Sequence, residues 1–146
     1  MSIHFGIEEL TASEYAARHG IDNSPNAEIL ANLNILMDGL ERARNVLDRP
    51  MIISSGYRSP KVNAGAGGSK NSYHMRGLAA DFTCNGMTPK DVCRALESSK
   101  QIIQYDKIIL EYGRWTHIQF PDVDETPRMQ SFTITKKETG YEPGIK

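Results

Sequence analysis

Two histidines and one aspartate stand where they could hold a metal ion. The stretch SYHMRGLAADF, residues 72–82, places His74 seven residues before Asp81, and His117 follows in WTHIQF. These side chains would supply two nitrogen ligands and one oxygen ligand, which suits a catalytic zinc site with a fourth position left for water. A lone histidine in WTHIQF would more often be a core or edge residue. However, a carboxylate such as Asp81 in an apolar strand is costly unless it is paired or metal-bound.

Glu111 is the candidate base beside this metal site. If residues 112–114 form a three-residue hairpin loop, Glu111 pairs with Trp115 and Ile109 pairs with His117. Glu111 and His117 would then share one face of the sheet, where the glutamate could accept a proton from an attacking water. A two-residue loop would separate them, and Glu111 would then be an exposed glutamate at a strand end.

Arg58, in SGYRSP, has two interpretations. It is either a surface charge or a guanidinium fork that binds a carboxylate or a developing oxyanion.

The first half of the chain is predicted to supply helices. Thr11 and Glu14 form a capping-box pattern that predicts a short helix over residues 12–18. Ser24 as cap and Pro25 at the first helical position predict a longer core helix. Its apolar stripe is Leu30, Leu33, Met37, Leu40 and Leu47.

The remaining elements are predicted to be strands separated by helices of unequal length. MIISS and GLAADFTC are predicted strands, and a helical turn is expected after Ser59-Pro60. Thr88 caps a helix in TPKDVCRALESSKQ; DKIILEY and RWTHIQF form a hairpin, and SFTITKK is the last strand. This order predicts an α+β fold with a small, mainly antiparallel sheet and packed helices. Residues 1–146 are expected to form a single domain, with 136–146 as a loose tail.

Composition argues against several kinds of partner. The 17 Lys and Arg nearly balance the 18 Asp and Glu, and no run of like charge predicts a nucleic-acid or lipid surface. We therefore expect no nucleic-acid partner and no membrane partner. A monomer is the default expectation, because the sequence contains no wall-binding repeat. No signal-peptide pattern opens the sequence, which predicts synthesis as a soluble, cytoplasmic chain. Cys84 and Cys93 are expected to be reduced thiols without a role.

The motifs SGYRSP, GGSKNSYHMRGLAADF and WTHIQF together resemble a known family. They are similar to peptidase family M15, the zinc D-alanyl-D-alanine carboxypeptidases and L-alanyl-D-glutamate endopeptidases, and within it to short phage and prophage wall-lytic members. The similarity covers about residues 5–120. The S-x-H-x-x-G-x-A-x-D arrangement begins at Ser72, and W-x-H begins at Trp115.

The resemblance implies a fold of the hedgehog and D-Ala-D-Ala peptidase type, with zinc held by His74, Asp81 and His117. Glu111 lies six residues before the last ligand, as the catalytic acid does in the hedgehog-like branch. In the vancomycin-resistance dipeptidases it lies three residues before, where Arg114 stands here. Some members carry a histidine at the position of Trp115. Transition-state help from that imidazole is then expected to fall to Arg58.

Three further residues are predicted to support the site. Ser72 is expected to orient the ligand loop by a hydrogen bond. Tyr57 and Trp115 are expected to bind substrate or to support the residues that do, because the Tyr-Arg pair and the W-x-H motif match the family.

The resulting functional hypothesis is zinc-assisted hydrolysis of an amide bond in the peptidoglycan stem peptide, with Glu111 and Arg58 as the catalytic pair. The enzyme would reach the cell wall if a phage lysis system released it. One alternative is a two-histidine, one-carboxylate iron oxygenase, whose usual His-Asp spacing of two differs from the seven here. Another is a non-catalytic wall-binding or virion module with a structural zinc. The bond that is cut is left open.

Overall fold

Helices open the part of the chain that the structure describes, residues 3–146 of a computed structural model. The first elements are α1 Ile7–Thr11, α2 Glu14–His19 and α3 Ala27–Leu47. Further along the chain lie α4 Pro60–Gly65, a 3-10 turn over Tyr73–Arg76, α5 Pro89–Ser98 and α6 Lys100–Ile103.

Two helix starts differ from the predicted ones. Ser13, not Thr11, caps α2, and its hydroxyl accepts from the Ala16 amide at 3.1 Å. Thr11 instead ends α1, a short helix that the sequence analysis missed because Gly6 at its start has no side chain to cap it. Likewise α3 is capped by Asn26, whose side chain accepts from the Ile29 amide at 2.9 Å, so the prediction of Ser24 and Pro25 at this start was wrong.

The predicted apolar stripe of α3 is buried except at its beginning. Leu33, Met37, Leu40 and Leu47 belong to the core, whereas Leu30 is 38% exposed. The helical turn expected after Ser59-Pro60 is α4, which Ser59 caps. The predicted cap at Thr88 is confirmed, because its side chain accepts from the Asp91 amide at the start of α5.

A six-stranded sheet forms the centre of the fold, with the order β1-β2-β4-β3-β5-β6. Neighbouring strands are antiparallel except β3 and β5, which run parallel. The predicted α+β class is therefore confirmed, with a mixed sheet. The strands are β1 Met51–Ser55, β2 Ala79–Cys84, β3 Lys107–Glu111, β4 Trp115–Gln119, β5 Gln130–Ile134 and β6 Glu142–Pro143.

Alternation along the central strands separates the core from the opposite sheet face. The core face carries Phe82, Leu110 and Ile118, which pack with the helices. The neighbours of each of these residues along its own strand point to the opposite face of the sheet. Among the described residues, no helix combines the length and apolar character needed to cross a bilayer. Cys84 and Cys93 are buried and unbridged, and burial raises the pKa of Cys93 to about 11.

The end of the chain differs from the loose tail that was predicted for residues 136–146. Strand β6 pairs with β5, the Thr133 hydroxyl donates to the Gly144 carbonyl at 2.8 Å, and the Lys146 amide donates to that hydroxyl at 2.9 Å. These contacts hold residues 142–146 against the sheet.

Candidate metal centre

His74, Asp81 and His117 come together on the sheet face opposite the core. Asp81 on β2 lies directly across from His117 on β4, because the antiparallel register pairs these two residues. His74 reaches the same point from the 3-10 turn that precedes β2. All three side chains are buried, and their ligand atoms lie within 4.8 Å of one another.

One carboxylate oxygen lies at the centre of this group. Asp81 Oδ1 is 3.2 Å from His74 Nε2 and 3.1 Å from His117 Nδ1. Burial opposes ionisation of Asp81, but the two imidazoles hold its pKa well below the ordinary value. For His74 the effect of burial prevails and lowers the pKa. For His117 the hydrogen bond and charge of Asp81 outweigh burial and raise the pKa.

The tautomer of His74 allows a test of whether a cation fits here. His74 Nδ1 lies 2.7 Å from the Gly56 carbonyl oxygen, which can only accept, so this nitrogen carries the proton. In the neutral ring Nε2 then presents a lone pair to Asp81 Oδ1. Two acceptors that face each other at 3.2 Å require a proton or a metal ion between them. The donor set of two nitrogens and one oxygen fits zinc.

The turn that carries His74 is stabilised by its neighbours. The Ser72 hydroxyl accepts from the His74 amide at 3.1 Å, and Gly77 closes the turn in the left-handed region with φ 73°. The His74 carbonyl accepts from the Arg58 amide at 3.0 Å. Ser72 therefore lies where the sequence placed it, as support for the loop.

Glu111 lies next to the group at the end of β3. The pairing of Glu111 with Trp115 and of Ile109 with His117 confirms the three-residue loop. Glu111 Oε1 is 3.9 Å from His117 Nδ1. Burial, followed by the charge of Asp81, raises the pKa of Glu111 to about 7.

Arg58 is not a surface charge, and its guanidinium binds a carboxylate of the protein itself, that of Asp81. Its Nη2 donates to Asp81 Oδ2 at 3.1 Å, its Nε to Ser55 Oγ at 2.9 Å, and its Nη1 to Asn63 Oδ1 at 3.2 Å. The guanidinium thus fixes the carboxylate oxygen that does not face the histidines. Asn63, a buried residue that the sequence analysis missed, is itself held by the Ser69 carbonyl at 2.8 Å.

Trp115 and Tyr57, both predicted to bind substrate or to support the residues that do, lie in different environments. Trp115 lines the cleft beside Tyr112, with ring centroids 5.7 Å apart. Tyr57 is 7% exposed and belongs to the hydrophobic core, and it is not among the cleft-lining residues. Tyr57 therefore does not fit the first of its two predicted roles, substrate binding, and the second, support of the residues that bind substrate, stays a prediction. The backbone of Tyr57 is also held in place, because its amide donates to the Leu10 carbonyl at 2.7 Å.

The group opens into a cleft of about 770 Å³. One wall is the glycine-rich loop before the 3-10 turn, where Gly67 has φ 73°. The other wall includes Ile134, Lys137 and Tyr141 from the end of the chain. An extended peptide could enter such a cleft and present one amide bond to the group.

Comparison with known proteins relates this chain to a family of peptidases. A family model described as Peptidase M15 matches residues 3–119. A zinc D-Ala-D-Ala carboxypeptidase from Streptomyces albus G is 40% identical over 53 residues. That alignment covers 36% of this chain and only 21% of the relative.

Proposed function

Because the chain belongs to the peptidase M15 family, we propose that it is a zinc peptidase that hydrolyses an amide bond in the stem peptide of peptidoglycan. In this proposal His74, Asp81 and His117 hold the zinc ion. The bond is the terminal D-Ala-D-Ala bond or the L-Ala-D-Glu bond. Because the motifs resemble those of short phage and prophage members of this family, we also propose that the protein degrades the bacterial cell wall in that context.

One observation carries the proposal. Two imidazole nitrogens and a carboxylate oxygen converge within 4.8 Å, and a glutamate with a pKa raised to about 7 lies beside them in an open cleft. A structural zinc is usually enclosed by four protein ligands, whereas a catalytic zinc has three and keeps one position for water. Three ligands that face a cleft favour catalysis over a structural role.

Glu111 is the proton carrier of the proposed reaction. When bound, zinc acts as a Lewis acid that polarises the scissile carbonyl and makes water a nucleophile near neutral pH. Glu111 accepts a proton from the attacking water as the water oxygen bonds to the carbonyl carbon. The carboxyl group then donates that proton to the leaving nitrogen as the C–N bond breaks. Both transfers depend on the position of Glu111 beside His117, within reach of the water and the leaving nitrogen.

Arg58 has two tasks in this proposal. It orients Asp81 through the 3.1 Å contact with Oδ2. Of its five N–H groups, three are used by Ser55, Asn63 and Asp81, and the others are available to the oxyanion or to a substrate carboxylate.

The charges along the cleft favour an acidic peptide as substrate. Beyond Arg58, the lining includes Lys70, Lys107 and Lys137. Lys107 Nζ lies 5.1 Å from the Phe132 ring centroid, and burial lowers its pKa. Stem peptides carry carboxylates that these cations can attract.

The test is mass spectrometry of purified muropeptides after incubation with the zinc-loaded protein, with a chelated sample as control. Loss of one terminal alanine would indicate a carboxypeptidase, and a split between the first two stem residues would indicate an endopeptidase. If zinc is bound and neither product forms, the proposed function is wrong.

Glu111→Gln tests the role of the base in the same assay. We expect this variant to keep zinc and the fold but to hydrolyse roughly a hundredfold more slowly, the order of a general-base contribution. Glu138→Gln, an exposed glutamate, is the matched control and should retain full activity. Undiminished activity in Glu111→Gln would remove Glu111 from the mechanism.

A further inference from the structure

A chain of polar side chains lies behind His117, on the side away from Asp81. His117 Nε2 is 2.8 Å from Gln119 Oε1, and Gln119 Nε2 is 2.9 Å from Asp106 Oδ2. Arg128 ends this series with two side-chain contacts to Asp106, from Nη2 to Oδ2 at 2.7 Å and from Nε to Oδ1 at 2.8 Å, and its backbone amide donates to Oδ1 at 3.3 Å. His117, Gln119 and Asp106 are all buried.

The chemistry of these groups fixes which atom donates in each of these hydrogen bonds. A carboxylate paired with arginine can only accept, so the NH₂ group of Gln119 must point to Asp106. The carbonyl oxygen of Gln119 then points to His117, where it can accept only from an Nε2–H. With the proton on Nε2, the neutral ring presents the lone pair of Nδ1 to the group formed with Asp81.

Strand geometry makes this arrangement rigid. Gln119 lies two residues after His117 on β4 and so shares its sheet face. The Asp106 amide donates to the Gln119 carbonyl at 2.8 Å, and the Asp106 carbonyl accepts from the Gln130 amide at 3.1 Å. The backbone of Asp106 is thus fixed from two strands while its carboxylate holds the Gln119 amide.

We propose that Gln119, Asp106 and Arg128 are positioning residues that hold His117 in the Nε2–H tautomer and so direct Nδ1 to the metal. This inference rests on the proposed function, in which His117 is a zinc ligand. Arg128 lies beyond residues 3–119, the part of the chain matched by the family model. Arg128, the last residue of this hydrogen-bonded series, which we call the relay, therefore comes from the segment before β5.

Gln119→Met is the direct test. Methionine keeps the length of the side chain but provides His117 with no strong acceptor, so both tautomers become accessible. We expect the Kd for Zn²⁺, measured by competition with a chelating dye, to rise about 10- to 100-fold, as is typical when a hydrogen-bond partner of a metal ligand is lost. Thr116→Val is the matched control, because Thr116 is equally buried on β4 but faces Cys93. Its Kd should stay within twofold of the parent.

Spectroscopy of the unaltered protein keeps the inference testable if Gln119→Met fails to fold. In the zinc-loaded protein, two-bond ¹H–¹⁵N correlations should show His117 with its proton on Nε2. A proton on Nδ1, or a Gln119→Met variant with unchanged Kd, would overturn the inference.

A third variant separates this inference from the proposed function. His117→Ala should abolish tight zinc binding. If it does and Gln119→Met binds zinc normally, only the relay is wrong. If His117→Ala binds zinc as tightly as the parent, the ligand assignment itself is wrong.

Discussion

The residues around Asp81 illustrate how a reactive site reduces the stability of the protein that carries it. Glu111 is placed near the ionised Asp81 and is largely removed from water, and both effects disfavour its charged form. His117 and Arg58 act in the opposite direction without cancelling them. The carboxyl group is therefore proton-binding in the folded state at a pH where an ordinary glutamate has lost its proton.

This difference predicts a pH-dependent effect of Glu111→Gln on the metal-free protein. The folded pKa of about 7 exceeds the ordinary 4.5, so the stabilisation by the bound proton is complete below 4.5 and is lost as the pH rises through about 7. In a chelator, thermal unfolding should show that Gln raises Tm relative to the parent more at pH 8 than at pH 5. Glu138→Gln should show no such trend. An equal difference at both pH values would contradict the prediction.

At the scale of elements, the β3–β4 hairpin decides which side chains share the site. Its three-residue loop places Glu111 and His117 on one sheet face. The loop turns through two residues in the left-handed region, Tyr112 with φ 56° and Gly113 with φ 66°. Glycine adopts this conformation without the steric cost that a Cβ imposes.

Substitution of Gly113 should therefore measure the conformational cost of the loop. A Cβ at this position meets no atom within 4 Å, so packing does not obscure the effect. We expect Gly113→Ala to lower the free energy of unfolding by about 1 kcal/mol. Gly113→Asn should cost less, because asparagine tolerates the left-handed region. Urea unfolding of the zinc-free variants measures both, and an equal cost for Ala and Asn would refute this explanation.

At the scale of the whole molecule, the sheet separates stability from chemistry. One face packs Phe82, Leu110 and Ile118 against the helices, and the other carries the polar group and the cleft. The end of the chain then completes the cleft wall with Ile134, Lys137 and Tyr141. These residues follow residues 3–119, the part of the chain that the family model matches.

Zinc should stabilise the whole domain because the ligands come from separate segments that meet only when it folds. At free zinc of 100 times Kd, mass action adds about 2.7 kcal/mol. For a chain of this size we expect Tm to rise by roughly 5–10 °C, measured by thermal unfolding with zinc or with chelator. His117→Ala should lose most of this shift, whereas His19→Ala, at the end of α2, should keep it. An equal shift in both variants would place the zinc elsewhere.

Local pattern was sufficient for much of the fold and for the candidate residues. Strand alternation and the hairpin count placed Glu111 beside His117, since both depend only on neighbouring residues. The helical turn after Ser59-Pro60 and the cap at Thr88 were predicted for the same reason. The helix starts near Thr11 and Ser24 were wrong because several capping residues compete there within a few positions, and tertiary packing selects one of them.

The sequence by itself determined which side chains could hold a metal and which glutamate could serve them, because the motif spacing and the sheet alternation are encoded locally. Only the tertiary structure decided that Arg58 binds Asp81, that Tyr57 enters the core, and that Arg128 and Asp106 stand behind Gln119. These contacts join residues that are far apart along the chain or whose side chains are oriented by packing. Their formation depends on strand order and register, which no short stretch of sequence specifies.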